Sequence, residues 1–238
     1  MFASGTSKAC WPPQLKKILS ARSIIRKPSL NFSQSAWILL RISVIGICGG
    51  GGVAAKVVET DPAIHRFVGI AAYYDDVGQK RAMIGDRFEE QVAAAKAQWA
   101  EYEKSGKIAT IAMVSDDAKI GCAMRQQPGT ENEPFAYYGT ARGASPNYTN
   151  RFALMSLADL LTFDSMAGAS RIKAPTLIVH GTIDAYCTPE NARQFYDALS
   201  TRKAYREIPT TNHIELYDDE NRVNQAVAFA NEWLSDQP

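Results

Sequence analysis

Residues 42–47, Ile-Ser-Val-Ile-Gly-Ile, run straight into Cys48 and a block of four glycines, Gly49, Gly50, Gly51 and Gly52. A short run rich in β-branched residues and closed by glycine reads as a buried parallel strand. Ala54, Ala55, Val57 and Val58 follow, with Pro62 just beyond, and predict a helix that starts inside the glycine run. A strand that becomes a helix over so few residues requires a sharp connection with little room for side chains. No other feature of the chain restricts its fold as strongly.

The alternation continues downstream. Residues 66–74 (RFVGIAAYY) predict a second buried strand. Residues 85–107 predict a helix, with Phe88, Val92, Ala95 and Trp99 on one face and a solvated Lys/Glu surface on the other. Turn signals at Pro128-Gly129, Pro134 and Gly139 make 115–150 irregular, and 152–161 predict another helix. Strands follow at 175–179 and 204–208. Between them lies a helix at 189–199, with Thr188 as N-cap and Pro189 in its first turn. A closing helix at 221–234 offers Val223, Val227, Phe229 and Trp233 to the core. Strands alternating with helices imply an α/β fold, a parallel sheet flanked by helices. The long stretch between its second and third strands, about 78–165, forms a helical insertion.

Residues 1–40 differ in kind. They carry Lys8, Lys16, Lys17, Arg22, Arg26 and Lys27 but no acid, the first acidic residue being Glu59. The expectation is a poorly ordered basic extension ahead of a domain spanning 41–238. Basic, Ser-rich and acid-poor composition also describes an organelle transit peptide. Weak amphipathic periodicity favours the plain extension and a cytoplasmic location.

Composition excludes several function classes. A net charge of +1 offers no field to draw nucleic acid. No run of about 18 uncharged apolar residues predicts a membrane span. Four cysteines (Cys10, Cys48, Cys122, Cys187) at irregular spacings argue for free thiols rather than a disulfide framework. His65, His180 and His213 lack the spacing of a metal motif, so neither a metal nor an organic cofactor is expected.

Three loops carry candidate chemistry. In Gly46-Ile47-Cys48-Gly49-Gly50 a nucleophile would sit on the sharp turn, where glycines two before and two after give it space. The helix N-terminus there favours thiolate, and the Gly49 N–H is a candidate oxyanion donor. An inert buried cysteine or a glycine-rich phosphate loop fits the same residues taken alone. Asp184 follows the third strand in HGTID, and His213 follows the fourth in TTNHIELYD. Singly, Asp184 reads equally well as a helix cap and His213 as ordinary surface. Their order does more: nucleophile, acid and base, each in the loop after its own strand. Cys187 lies near Asp184 but has no such turn around it, and Ser115 has no glycine context. Tyr73, Tyr74, Tyr137 and Tyr138 fit core packing better than a pocket wall.

The stretches VIGICGGGG, RGASPNYTNRF (142–152), PTLIVHGTID and TTNHIELYD together resemble the dienelactone-hydrolase-like group of α/β-hydrolases, from about residue 41 onward. The resemblance implies Cys48 as nucleophile, Asp184 as acid and His213 as base, with His180 structural. It implies a hydrolase for an ester, thioester or lactone of a small acyl substrate, by way of an acyl-enzyme. Acyl transfer to another acceptor, or a truncated and inactive fragment, are its rivals. Members of the group carry further strands ahead of the elbow. Their absence would leave the first strand near a sheet edge, open to pairing with another copy.

Overall fold

The computed structural model describes residues 42–117, 119–130 and 133–236. The basic extension, including Arg41, lies outside the described residues.

Four parallel strands make the sheet: β1 (Ile42–Ile47), β2 (Ile64–Ile70), β5 (Thr176–Gly181) and β6 (Lys203–Ile208), in the spatial order β1-β2-β5-β6. The parallel sheet with helices on its faces is as the sequence predicts. Register explains why three distant loops meet. Ile47 pairs with Ile70, Ile70 with Val179, and Val179 with Arg206. The strands therefore end within a residue or two of one another, and the loops at 48, 71, 182 and 209 leave from one edge. Open parallel sheets place their sites at this carboxyl edge.

Side chains divide with period two. Phe67 and Ile178 join Ala54, Val58, Ala192 and Phe195 beneath α1 (Gly49–Thr60) and α6 (Pro189–Ala198). Val68, Ile70, Leu177 and Val179 face the other way, onto Ala226, Ala230 and Trp233 of α8 (Glu220–Ser235). Each such apolar side chain, fully buried, is worth about 1.5–3 kcal/mol. The core face of α8 is Val223, Ala226, Ala230 and Trp233, while Val227 and Phe229 are only partly covered. The large apolar residues of that helix had pointed to Val227 and Phe229. Small alanines win because the helix lies close to the sheet. Arg66 in turn reaches from β2 to the backbone carbonyls of Trp233 and Asp236, supplying donors to the end of α8.

The second strand ends earlier than predicted, at Ile70 rather than Tyr74. Ala71 adopts φ 44, a left-handed conformation that stops the pleat. Tyr74 instead turns into the core, stacked on Phe195 with ring centroids 3.7 Å apart.

Between β2 and β5 come α2 (Val77–Ile84), α3 (Phe88–Ser105), β3 (Thr110–Ile111), α4 (Glu133–Tyr138), β4 (Phe152–Ala153) and α5 (Leu157–Leu160). The predicted helix at 152–161 is in fact a short antiparallel pairing with β3, a 3₁₀ turn and one turn of helix. On α3, Phe88, Val92 and Ala95 are buried, but Trp99 is exposed because the helix runs beyond the surface it packs on. A partly buried ion pair ties the segment to the sheet. Lys80 binds the Asp75 carboxylate after β2 and donates to the carbonyls of Leu160 (2.6 Å) and Phe163 (3.1 Å). The Asp75 N–H donates to Ser165 Oγ at 2.8 Å.

Candidate active site

Cys48 has φ 51 and ψ −133, between the last residue of β1 and the first of α1. A side chain held at positive φ is strained, and such strain persists only where its surroundings enforce it. Two hydrogen bonds do so: the N–H groups of Gly51 and Tyr73 both donate to the Cys48 carbonyl, at 2.8 and 2.9 Å. Crowding also does so, at one of the two expected glycines but not at the other. A Cβ at Gly46 would lie 2.7 Å from the Gly51 Cα, and one at Gly51 would lie 2.2 Å from the Ala72 Cβ. Gly50, two beyond the cysteine, would meet nothing within 4 Å. The packing demand therefore falls two residues before Cys48 and three after it, where α1 crosses the end of β2. Gly49, first in α1, offers an N–H with no partner inside the helix.

His213 lies at the far end of the same edge and is almost wholly buried. Its Nδ1 meets Asp184 Oδ2 at 2.6 Å, and its Nε2 meets the Tyr217 hydroxyl at 2.6 Å. The second oxygen of Asp184 accepts the N–H groups of Tyr186 (2.9 Å) and Cys187 (2.7 Å). Those bonds lock the carboxylate in a tight loop and leave Oδ2 free to orient the imidazole. Glu133 of α4 accepts the Ile214 N–H at 3.0 Å, which fixes the backbone beside the histidine. Its other oxygen is buried without a partner. Burial raises the Glu133 pKa, against the hydrogen bond from the Ile214 N–H and the charge of His213, which lower it.

The fold brings Cys48, Asp184 and His213 together. One sulfur or nitrogen donor from each of Cys48, Cys187 and His213 lies within 4.8 Å of the others. The Cys187 thiol donates to the Cys48 sulfur at 3.9 Å. The cluster is a correction to the reading of scattered thiols: sequence spacing showed no Cys/His group, and the sheet edge creates one. Two sulfurs and an imidazole also form a donor set that suits a soft cation such as zinc.

Electrostatics divide the two thiols. The Cys48 pKa is lowered well below the ordinary thiol value, chiefly by the hydrogen bond from Cys187; burial opposes this, and His213 and Tyr217 assist. Cys187 is raised well above it, because its proton is held by Cys48 and burial disfavours a second charge. For His213, burial works against the imidazolium. The hydrogen bonds to Asp184 and Cys48 outweigh it and push the pKa up to about 10. These opposed shifts favour a thiolate at Cys48 beside a charged His213, with Cys187 as the thiol that keeps its proton.

Tyr217, Cys187 and Glu133 are residues that the sequence reading did not assign. A signal existed for the first: Tyr217 is four residues beyond His213, one helical turn. Tyr217 is buried and forms an edge-to-face pair with the imidazole, centroids 4.8 Å apart. Tyr138, like Cys48, is partly buried against the core below α8, and it makes an edge-to-face contact with Tyr137 at 5.0 Å. His180, by contrast, is fully buried with Nδ1 near the Gly181 carbonyl, and it stays outside the cluster.

Comparison with known proteins fits this architecture. The structure of DcsB in complex with its substrate analogue superposes with a TM-score of 0.63 at 18% identity, covering 94% of this chain and 74% of that one. The α/β-hydrolase GrgF from Penicillium sp. sh18 gives 0.58 at 17% identity, covering 80% and 63%. The fold is that of the α/β-hydrolases. Residues 124–238, which hold Asp184 and His213 but not Cys48, match the family described as PhoPQ-activated pathogenicity-related protein. The uncharacterized protein YcjY of Escherichia coli is 26% identical over 196 residues, covering 79% of this chain and 61% of its own length. The uncharacterized protein PA2218 of Pseudomonas aeruginosa is 26% identical over 200 residues, covering 77% and 49%. The chain thus spans about half to three fifths of the length of these two relatives.

Proposed function

We propose that this α/β-hydrolase-fold chain hydrolyses an ester, thioester or lactone of a small acyl substrate, in the manner of the dienelactone-hydrolase-like group. The observation that carries the reading is the imidazole of His213, held on Asp184 at 2.6 Å and within 4.8 Å of the Cys48 sulfur at a strained strand-to-helix turn. Cys48 thiolate attacks the carbonyl carbon, and the Gly49 N–H at the start of α1 faces the developing oxyanion. His213 then protonates the leaving group. Water activated by the neutral imidazole releases the acid from the acyl-enzyme, and Asp184 stabilises the imidazolium at both stages.

Tyr217 has a place in this sequence. Its hydroxyl meets His213 Nε2 at 2.6 Å and is among the groups that lower the Cys48 pKa, which puts it beside both base and nucleophile. It donates to the thiolate while accepting from the imidazolium, which stabilises the charged pair before substrate arrives.

The test uses a short-chain p-nitrophenyl ester. The expected result is a stoichiometric burst of p-nitrophenolate, with an acyl adduct on Cys48 by intact mass. Cys48→Ala abolishes both. A burst that survives Cys48→Ala, or one that is unchanged in His213→Ala, defeats the proposal. Adding a competing alcohol distinguishes hydrolysis from acyl transfer by its products.

A further inference from the structure

We propose that Cys48 and Cys187 form a reversible disulfide when a hydroperoxide reaches the site, with Cys187 as the resolving thiol. The inference rests on the reading of Cys48 as the reactive thiol, but not on ester hydrolysis. Three structural observations carry it. The two sulfurs are 3.9 Å apart in the reduced chain, so closing to a bond of about 2.05 Å needs only small side-chain movements. Cys48 is partly exposed whereas Cys187 is buried, which sets the order of attack. Cys187 is also held in place, since its N–H donates to the Asp184 oxygen opposite the one that orients His213. The third described thiol, Cys122, donates to the Met124 carbonyl at 3.2 Å and is not part of the cluster.

The chemistry balances in two steps. Cys48 thiolate attacks the terminal peroxide oxygen; the S–O bond forms, the O–O bond breaks, and the departing hydroxide (alkoxide from an organic hydroperoxide) takes a proton from the His213 imidazolium to leave as water (or the alcohol). The sulfur of Cys187 then attacks the Cys48 sulfenic acid. The S–S bond forms, the S–O bond breaks, and the leaving hydroxide combines with the Cys187 proton as a second water. Two thiols lose two electrons and one hydroperoxide is reduced. The split between a lowered Cys48 and a raised Cys187 supports these roles, because the thiolate attacks first and the protonated partner waits. The disulfide ties up the sulfur that would attack a carbonyl. It also protects that sulfur from the irreversible sulfinic state.

The experiment treats the full, reduced chain with one equivalent of hydrogen peroxide, blocks remaining thiols under denaturing conditions, and maps peptides without reduction. The expected product is lighter by about two daltons before blocking. It contains a Cys48–Cys187 linked peptide with Cys122 alkylated, and dithiothreitol reverses the link. In Cys187→Ser, and in Cys187→Ala should the first fold poorly, oxygen accumulates on Cys48 and dithiothreitol no longer restores the thiol fully. The proposal is overturned if the wild-type chain gains oxygen at Cys48 with Cys187 still alkylatable, or if the link involves Cys10 or Cys122. Ester burst is followed in parallel. A chain that forms the link yet never shows a burst defeats the hydrolase reading alone, and a burst without the link defeats only this one.

Discussion

Strands β1 and β5 supply opposite sides of one site and are held very differently. β5 lies between two parallel neighbours, and all six of its residues are buried. β1 pairs only with β2 among the described residues; its first residues are exposed, and burial is reached only at Gly46 and Ile47. On the same side Ile42, Val53 and Val57 expose apolar surface. The acid therefore depends on the closed part of the sheet, whereas the thiol follows the edge strand β1 and the base follows the opposite edge strand β6. What fixes Cys48 is not sheet pairing along the whole of β1. It is the local knot of Gly46, Gly51, Ala72 and Tyr73 where α1 crosses the end of β2.

The contrast can be broken or sharpened by substitution. The largest effect belongs to the closed side: Asp184→Asn leaves the loop in place but removes the charge that orients and stabilises the imidazolium. Turnover of an activated ester should fall about 10³–10⁴-fold, with binding nearly unchanged, as steady-state kinetics would report. Next comes Phe195→Ala beneath β5, which removes the stack on Tyr74. Urea unfolding should show a loss of about 3–5 kcal/mol. Gly51→Ala follows, on the open side. Its methyl would overlap the Ala72 Cβ, and a cost of about 1–3 kcal/mol with a slower burst would show that the knot, not the strand, holds the thiol.

The fourth prediction concerns pH. The Cys48 pKa in the folded chain lies below the ordinary thiol value, so its thiolate persists as pH falls below about 9 and is lost only lower down, through the folded value. Between there and the raised His213 value of about 10, the charged pair is the dominant form. At pH 7, iodoacetamide should alkylate Cys48 at least about tenfold faster in the folded chain than in urea, by mass-resolved rate. Equal rates would remove the thiolate from the account. Smallest is Val57→Ser on the exposed face of α1, expected to shift stability by no more than about 0.5 kcal/mol. A larger loss would mean that the open side is covered in solution.

Much of the fold was legible because its signals are local. The β-branched runs of β1, β2 and β5, the strand at β6, and the helices at α1, α6 and α8, came from periodicity and from glycine and proline. Thr188 caps α6 as read, accepting the Asn191 N–H. The failures came where the deciding partner was distant. The segment 152–161 has helical composition, but its first residues pair with β3 across some forty positions of chain. Trp99 keeps the period of its helix yet stays exposed, its aromatic neighbour being Tyr102 of the same helix.

The sequence by itself determined the elements, the sharp turn at Cys48, and the order in which Cys48, Asp184 and His213 occur, since these depend on neighbours within a turn or a strand. Only the tertiary structure decided that β1 pairs with β2 alone among the described residues, that Gly51 and not Gly50 must lack a side chain, and that Cys187 and Tyr217 join the three. Distances of a few ångströms between residues more than a hundred positions apart follow from strand order and register, and those are set by the burial of the whole core rather than by any local pattern.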